Sequence, residues 1–309
     1  MRRILGILLL SGCASLQSPR PSYRTIDLMP LFWSFWAEAH ERPFDSQIAL
    51  FESRVVPRHP EIYNAAVLGF DRSKPFHEEL AKRYPRYMAF VSADFPTMRR
   101  LSNEITHQLG SIEARFLREF PDFDYHGDIY FMNSLAAFDG AVREVNGKRA
   151  LLFGLDVIAA IHGQSAAIEP LFDHELFHLY HHQSFPRREA LWAALWTEGL
   201  ATYVSRRMNP AATDRQIFGL PENTPTRTRE MLPRIAHELV QHLDSPSRDD
   251  YRKFFLGSEP NADPPQRSGY YVGYLIAERI GRDRRLRDLA KMPPDEVRRT
   301  AEEVLRSWD

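Results

Sequence analysis

The chain has 309 residues, a length that allows one large domain or two lobes around a cleft. Its 40 Lys and Arg side chains are nearly balanced by 41 Asp and Glu side chains, and this near-neutral balance argues against a nucleic-acid partner. The 22 prolines and 12% aromatic residues indicate many short helices, and we find neither an internal repeat nor a low-complexity segment.

The first thirteen residues have the pattern of a secretory signal. Arginines at positions 2 and 3 precede an apolar run at 4–10, which ends in Leu10-Ser11-Gly12-Cys13. A basic start, a short apolar run and small residues before the cleavage point are typical of such signals. The run is far shorter than the about 18 residues of a membrane-spanning helix. The four residues that end at Cys13 resemble the bacterial lipobox, in which the cysteine is lipidated and begins the mature chain.

Lipidation of Cys13 would affect the whole chain, because this is its only cysteine. The mature protein would then hold no disulfide and no thiolate for a metal, and loss of Arg2 and Arg3 would change its net charge from −1 to −3. No later apolar stretch is long enough to cross a bilayer, so we expect membrane attachment by the lipid alone. The resemblance implies a periplasm-facing protein of the bacterial cell envelope, and Ala14, which is not Asp, favours the outer membrane over the inner. The alternative is an ordinary signal peptide with an incidental cysteine.

The remaining chain divides into a tether at 14–25, with Ser, Gln and Pro, and a single domain at 26–309 whose functional core is 126–208. Apolar residues recur at helical spacing from 26 to 120, which predicts several helices. The aromatic cluster Phe32-Trp33-Phe35-Trp36 could contact a membrane surface near the anchor. Such clusters are more often part of the core, and we favour that interpretation.

Three strands are predicted next, at Asp128–Met132, Ala141–Val145 and Ala150–Leu155. Asn146-Gly147 between the last two is the strongest short signal for a hairpin. The expected fold class is therefore α+β, mainly α, with a small sheet or hairpin that directly precedes the helix carrying the next motif.

Residues 173–178, Asp-His-Glu-Leu-Phe-His, contain the pattern HExxH within an apolar-periodic run that predicts a helix from Ala166 to Tyr180. Residues four apart lie one above the other on a helix, about 5–6 Å apart at Cβ, so His174 and His178 can bind one Zn²⁺. Glu175 is rotated by about 100° from His174. It can reach a metal-bound water as a general base but is poorly placed as a third ligand. The alternative is a histidine-rich helix face without a metal.

A catalytic zinc needs a third protein ligand and keeps its fourth position open. A second helix is predicted from Arg187 to Met208 and is joined to the first by a short turn, so the two helices are neighbours. Glu198 shares a stripe of this helix with apolar residues and can face the histidine pair. Gly199 costs about 1 kcal/mol of helix stability relative to Ala, which indicates close approach of another helix or of the metal.

These motifs resemble those of the gluzincins, zinc metallopeptidases that combine HExxH with a Glu from the next helix. More closely, they are similar to a group of predicted zinc-dependent proteases whose second helix reads E-G-L-A, and the similarity covers about residues 129–203. The resemblance implies a zincin-like fold and one Zn²⁺ per chain, held by His174, His178 and Glu198. Glu175 would then be the general base in the hydrolysis of a peptide or protein substrate.

The chain departs from this family at one position. Thermolysin-type members carry an Asp that supports a ligand histidine, and the corresponding residue here is Thr202, so that partner is unidentified. A metzincin site is excluded because its third histidine would fall at Ser184. The resemblance also implies an edge strand that binds the substrate backbone, and Leu151–Asp156 is the predicted strand. The alternative for this segment is a hairpin that only covers the core.

A further helix is predicted to begin in the segment Ser268–Tyr274, which is similar to a GYxxGY segment of the same protease group. Zinc peptidases need a hydrogen-bond donor to the oxyanion besides the metal. Tyr270 is the first candidate, followed by Tyr271, Arg267 and His237. Aromatic packing between helices is the alternative for each of these tyrosines.

Other segments receive more general interpretations. The Pro- and Thr-rich segment Asn209–Thr226 is either a lid or an insertion. His237 and His242 are about 140° apart on a helix, so we expect surface or structural roles. His181 and His182 follow the motif by one turn. They could contact a zinc-ligating side chain or the substrate, but we favour the interpretation that they lie at a solvated helix end.

Two alternatives come from other functional classes. A non-catalytic zinc-binding envelope lipoprotein with a structural or assembly role would have a closed fourth coordination position, and the sequence offers no clear fourth ligand. A chaperone-like lipoprotein would hold no metal at all. The sequence sets neither the natural substrate nor the oligomeric state.

Overall fold

The computed structural model describes residues 21–219, 221–257 and 259–309. The secretory signal, Cys13 and the tether up to residue 20 lie outside the described residues. The described chain is α+β and mainly helical, with one four-stranded sheet, which confirms the coarse fold class. No helix in this part of the chain is both long enough and apolar enough to cross a membrane.

Fifteen α-helices are present in the described residues. In chain order they are α1 Met29–Ala39, α2 Phe44–Arg54, α3 Ala65–Leu68, α4 Phe76–Val91, α5 Phe95–Glu119, α6 Leu155–His162, α7 Ile168–His181, α8 Leu191–Met208, α9 Asp214–Phe218, α10 Thr224–Glu230, α11 Leu232–Gln241, α12 Arg248–Phe255, α13 Ser268–Gly281, α14 Leu286–Ala290 and α15 Pro294–Arg306. The helices predicted before residue 120 are confirmed by α1 to α5, and those predicted around the two metal motifs by α7 and α8.

The sheet contains β1 Arg24–Asp27, β2 Asp128–Met132, β3 Gly140–Val145 and β4 Lys148–Gly154. Its order is β1-β2-β4-β3, in which β1 and β4 run parallel to β2 while β3 is antiparallel to β4. The three predicted strands are confirmed within two residues at each end. Strand β1 was not predicted, and its first two residues fall within the expected tether. A four-residue strand carries little pattern of its own, and this one depends on pairing with β2.

The turn between β3 and β4 has the predicted chemistry. Asn146 and Gly147 both have positive φ, 50° and 73°, as the tight hairpin turn that matches the twist of the strands requires. The predicted substrate strand, however, is wrong. Strand β4 pairs with β2 on one side and β3 on the other, so its main-chain groups are already used, and Asp156 belongs to α6. The exposed edge near the motif is β3.

The aromatic cluster near the start of the domain lies in the core, as favoured from the sequence. Phe32, Trp33 and Phe35 are all at least nine-tenths buried. Trp36 is partly buried and packs with its ring centroid 4.6 Å from that of Phe95. These contacts fasten α1 to α5, the long helix that also packs against α7.

Helices α8 and α13 cross at two glycines. A methyl group on Gly199 would lie 2.1 Å from the carbonyl carbon of Gly273, and one on Gly273 would lie 2.2 Å from the carbonyl oxygen of Leu195. Only residues without a side chain permit this backbone contact. The close helix approach predicted from Gly199 is thus confirmed, and Glu198, the residue before it, lines the same cavity as Tyr270 in the first turn of α13.

Candidate metal centre

Helix α7 places two imidazoles together. It begins at Ile168 and continues through the motif without interruption, so His174 and His178 are one turn apart on the same face. Their Nε2 atoms are 3.0 Å apart. Each side chain keeps about one-sixth of its surface exposed, 14% and 17%, so the face remains accessible from the cleft.

Glu198 of α8 completes the group. Its Oε2 lies 3.6 Å from Nε2 of His174 and 3.3 Å from Nε2 of His178, and the three side chains form the one group of potential metal ligands found among the described residues. Ligand atoms bound tetrahedrally to Zn²⁺ at about 2.0–2.1 Å lie about 3.3–3.4 Å from one another. The three separations therefore fit a zinc ion, and the nitrogen and oxygen donors are ones that zinc accepts.

The charges of this group favour a cation. Burial raises the pKa of Glu198, but the two imidazoles outweigh this and hold it well below its usual range. Burial lowers the pKa of His178, and the charge of Glu198 outweighs this and raises it to about 9. The carboxylate is therefore ionised at neutral pH, while a metal ion has to compete with a proton for His178.

Glu175 lies in the same cleft as the three candidate ligands, and its carboxylate has no polar partner among the described residues. It makes no ion pair and no side-chain hydrogen bond with a described residue, and it lines a cavity of about 380 Å³ together with the three candidate ligands. Its carboxylate is next to the start of β3, because a methyl group on Gly140 would lie 3.7 Å from its Oε1. The predicted base is thus beside the exposed strand edge.

The segment that leads into β3 is held by a buried carboxylate. Asp156 accepts hydrogen bonds from the backbone N–H of Ser134 at 2.7 Å and of Ala136 at 2.8 Å. These bonds fix a tight loop in which Leu135 and Ala136 both have positive φ, 54° and 60°. Because non-glycine residues rarely adopt this conformation, the loop depends on Asp156 for its shape. The sequence analysis did not identify this role.

The candidate oxyanion donors separate into two pairs. Tyr270 and Arg267 line the cleft with the ligand group, and burial raises the pKa of Tyr270 well above its usual value, so its hydroxyl remains a donor. Tyr271 instead accepts a hydrogen bond from Arg229 outside the cleft. His237 is exposed on α11 and pairs with Asp309 at the end of the chain.

Several cleft residues were not identified from the sequence. His162 at the end of α6 and Asp139 before β3 line the cavity, as do residues 216–219 of the segment considered a lid or an insertion. That segment contains α9, which begins with a capping box between Thr213 and Gln216. The S/T-x-x-Q spacing is visible in the sequence and could have predicted a helix there.

A polar cluster lies behind the motif helix. Asp173 is fully buried and accepts hydrogen bonds from Arg115 of α5, at 2.5 Å, and from Asn209, at 2.8 Å. Arg115 also pairs with Glu169 in the first turn of α7. Burial raises the pKa of Asp173 to about 7 against the opposing charge of Arg115. The cluster fastens α7 to its neighbours on the side away from the cleft.

No described side chain supports the candidate ligand His178 from behind. The Nδ1 atom of His178 is buried without a partner, and the hydroxyl of Thr202 donates instead to the carbonyl oxygen of Glu198 at 2.7 Å. The expectation of a solvated helix end is wrong for His181, which is fully buried between the rings of Phe177 and Phe185, whereas His182 is partly exposed. The separate expectation of surface or structural roles for His237 and His242 agrees with the structure, in which both are exposed.

No protein-family model, curated protein or solved structure matches this chain. The site is therefore characterised by its own geometry and chemistry.

Proposed function

We propose that the protein is a zinc-dependent metallopeptidase of the gluzincin type with a zincin-like fold. One observation carries the proposal: His174, His178 and Glu198 bring three ligand atoms to within 3.0–3.6 Å of one another, and the uncommitted carboxylate of Glu175 lies in the same cleft. Three ligands from two packed helices and a nearby base are the parts that metal-assisted hydrolysis requires.

The proposal favours catalysis over a structural zinc. A structural site is closed by four protein ligands, whereas the group in the described residues has three and is partly exposed in a cleft of about 380 Å³. A Zn²⁺ ion in such a site supplies Lewis acidity, which makes water nucleophilic at neutral pH and polarises the scissile carbonyl.

The chain's own residues account for the proton transfers. Glu175 takes a proton as water attacks the carbonyl carbon, and it gives that proton to the amine nitrogen when the C–N bond breaks. The hydroxyl of Tyr270 donates a hydrogen bond to the developing oxyanion. The exposed edge of β3, which begins beside Glu175, pairs with the backbone of an extended peptide by strand addition.

The location of the protein is part of the same proposal. We propose that Cys13 is lipidated and that the domain faces the periplasm on the bacterial cell envelope, with the outer membrane favoured. The lipobox resemblance supports this assignment. Replacement of Cys13 by Ala should abolish incorporation of labelled fatty acid and release the protein from membranes, while retained incorporation would contradict it.

The test of the activity uses the purified zinc-loaded protein beside its Glu175→Gln variant, with a peptide library as substrate and zinc content measured in both. Because the substitution removes only the base, we expect equal zinc and a loss of turnover of about 100- to 10,000-fold. Substantial hydrolysis by the variant would contradict the mechanism. Tight zinc without cleavage by the wild type would instead favour the structural or assembly role.

A further inference from the structure

Arg267 is a cationic side chain in the wall of the cleft that forms no ion pair with the described residues, although Asp139, Glu175 and Glu198 line the same cavity. It is the only Arg or Lys among the described residues that line the cavity. It forms no ion pair and no side-chain hydrogen bond with them, and its Nε atom is buried without a partner. A buried donor without an acceptor is costly, so an anion at this position would be stabilised.

The guanidinium is held in place rather than free in solvent. Its Cζ atom lies 4.5 Å from the ring centroid of Tyr270, and the Tyr270 ring in turn packs against Phe255. A planar guanidinium fixed over an aromatic ring presents its fork of N–H groups in a set direction, which suits the two oxygens of a carboxylate. Lysine could not present this geometry.

Space for such a group exists between Arg267 and His162. Both side chains border the same point next to Gly219, because a methyl group there would lie 3.6 Å from Cε1 of His162 and 4.0 Å from Nη2 of Arg267. Gly219 has φ 71° and ψ −143°, a conformation open to glycine alone. The backbone conformation at position 219 therefore requires glycine, and glycine also leaves this space open.

The backbone conformation of Arg267 is a further observation that favours a role for its side chain. Arg267 has φ 59° and ψ 13°, in the left-handed region, as the residue before α13. Gly or Asn adopts this conformation at lower cost than Arg. An arginine in this position is thus not explained by local backbone preference.

We propose that Arg267, together with His162, binds a carboxylate of the peptide substrate. This inference rests on the proposed peptidase function and specifies its substrate class. A cavity of about 380 Å³ is roughly 9 Å across, the length of two to three extended residues. The carboxylate bound by Arg267 therefore lies within about three residues of the bond that is cleaved. It is either the C-terminal carboxylate of the peptide or the side chain of Asp or Glu.

The test measures binding separately from cleavage. The zinc-loaded Glu175→Gln protein is titrated with three fluorescent hexapeptides: one with a free C-terminal carboxylate, one with a C-terminal amide, and one amide with a Glu near its end. The wild-type side chain at 267 should bind at least one carboxylate peptide about 10- to 100-fold more tightly than the plain amide. The peptide that gains identifies which carboxylate is recognised.

Substitution at Arg267 provides the deciding comparison. Arg267→Gln should remove this preference, because a neutral side chain cannot make charge-assisted hydrogen bonds to the carboxylate. The affinity for the plain amide peptide should stay within about threefold of its original value. Arg267→Asn should do the same, and it suits the left-handed backbone, so misfolding is not the cause of its loss. Arg229→Gln is the matched control, since Arg229 also lies over a tyrosine ring, that of Tyr271, but outside the cleft. It should keep the preference.

The outcomes separate this inference from the proposed function. Absence of any carboxylate preference, or an equal loss for carboxylate and amide peptides in both Arg267 variants, would overturn the inference. A preference that survives in these variants would also overturn it, because the carboxylate would then be bound by a group other than Arg267. If the Arg267 variants lose the preference but the wild-type protein cleaves no peptide, the carboxylate site would be retained and the peptidase function rejected.

Discussion

One wall of the cleft consists of α7 and α8, which follow each other in the chain, whereas the opposite wall is assembled from distant segments. The first wall carries the candidate ligands and Glu175 within 25 residues of sequence, at spacings set by the helix repeat. The second combines His162, Gly219 and the start of α13 with Arg267 and Tyr270. The difference teaches that the candidate ligands and the proposed base are close in sequence, whereas the residues proposed to contact the substrate come from distant segments.

The ligand wall is tested most strongly by Glu198→Ala, for which we expect zinc affinity to fall by more than about 100-fold. Loss of a metal ligand should have a larger effect than loss of a residue that only hydrogen-bonds to a ligand, which typically lowers affinity by about 10- to 100-fold. The measurement is a competition titration with a chelator. Glu230→Ala, which removes an exposed acid at the end of α10 that does not line the cavity, is the control. Unchanged zinc affinity in the Glu198 variant would mean that the third ligand is another residue.

The opposite wall is tested by Tyr270→Phe, for which we expect kcat to fall by roughly 10- to 100-fold with little change in KM. The ring contacts with Phe255 and Arg267 persist, and the hydroxyl makes no side-chain hydrogen bond with the described residues, so stability should be unchanged. Tyr271→Phe removes a hydroxyl outside the cleft and serves as control. Equal kcat in wild type and Tyr270→Phe would exclude the hydroxyl as the oxyanion donor.

The contact between the two walls is tested by Gly199→Ala. The new methyl group would meet the backbone of Gly273, which cannot move aside as a side chain can. Overpacking should lower the free energy of unfolding by about 1–3 kcal/mol. Gly110→Ala on α5, where a methyl group meets nothing within 4 Å, should instead raise it by about 0.5–1 kcal/mol. Equal effects of the two substitutions in urea unfolding would show that α8 and α13 do not cross closely.

The buried ring of His181 on α7 predicts that the free energy of unfolding depends on pH. Burial lowers the pKa of His181 to about 3, whereas the unfolded chain protonates this ring near 6.5. The contribution of His181 to the free energy of unfolding is therefore complete above pH 6.5 and decreases as the pH falls towards 3, by up to about 1.4 kcal/mol per pH unit.

Replacement of His181 by Phe should remove this dependence while keeping the stack with Phe177 and Phe185. The stability gap between variant and wild type should widen by about 2 kcal/mol between pH 7 and pH 5. His107→Gln, which alters an exposed histidine on α5, is the control. A gap that stays constant over this range would show that His181 is accessible to protons in the folded chain.

Much of the ligand wall could be predicted from the sequence because its signals are short-range. The helix repeat places His174 over His178, and a short connection makes α8 the neighbour of α7, so Glu198 follows without knowledge of the rest. The hairpin was also predictable, because Asn146-Gly147 adopts positive φ readily. In each case the deciding interaction spans only a few residues or one turn.

The remaining parts depend on contacts that no local pattern encodes. Strand β1 exists through pairing with β2, about a hundred residues later. Strand β4 is not an edge because β2 pairs with it on the side opposite to β3. His181 looked like a solvated helix end because its burial comes from Phe185 and the neighbouring helices. The positions of His162 and Gly219 beside Arg267 likewise follow from tertiary packing alone.

The most direct measurement is a crystallographic anomalous-difference map of the zinc-loaded protein, recorded on both sides of the zinc absorption edge. The account predicts one peak per chain at about 2.0–2.2 Å from Nε2 of His174, Nε2 of His178 and a carboxylate oxygen of Glu198. A fourth position facing the cleft, not filled by protein, would agree with catalysis. A peak elsewhere, or none at a zinc concentration that saturates the protein, would contradict the metal centre and with it the proposed function.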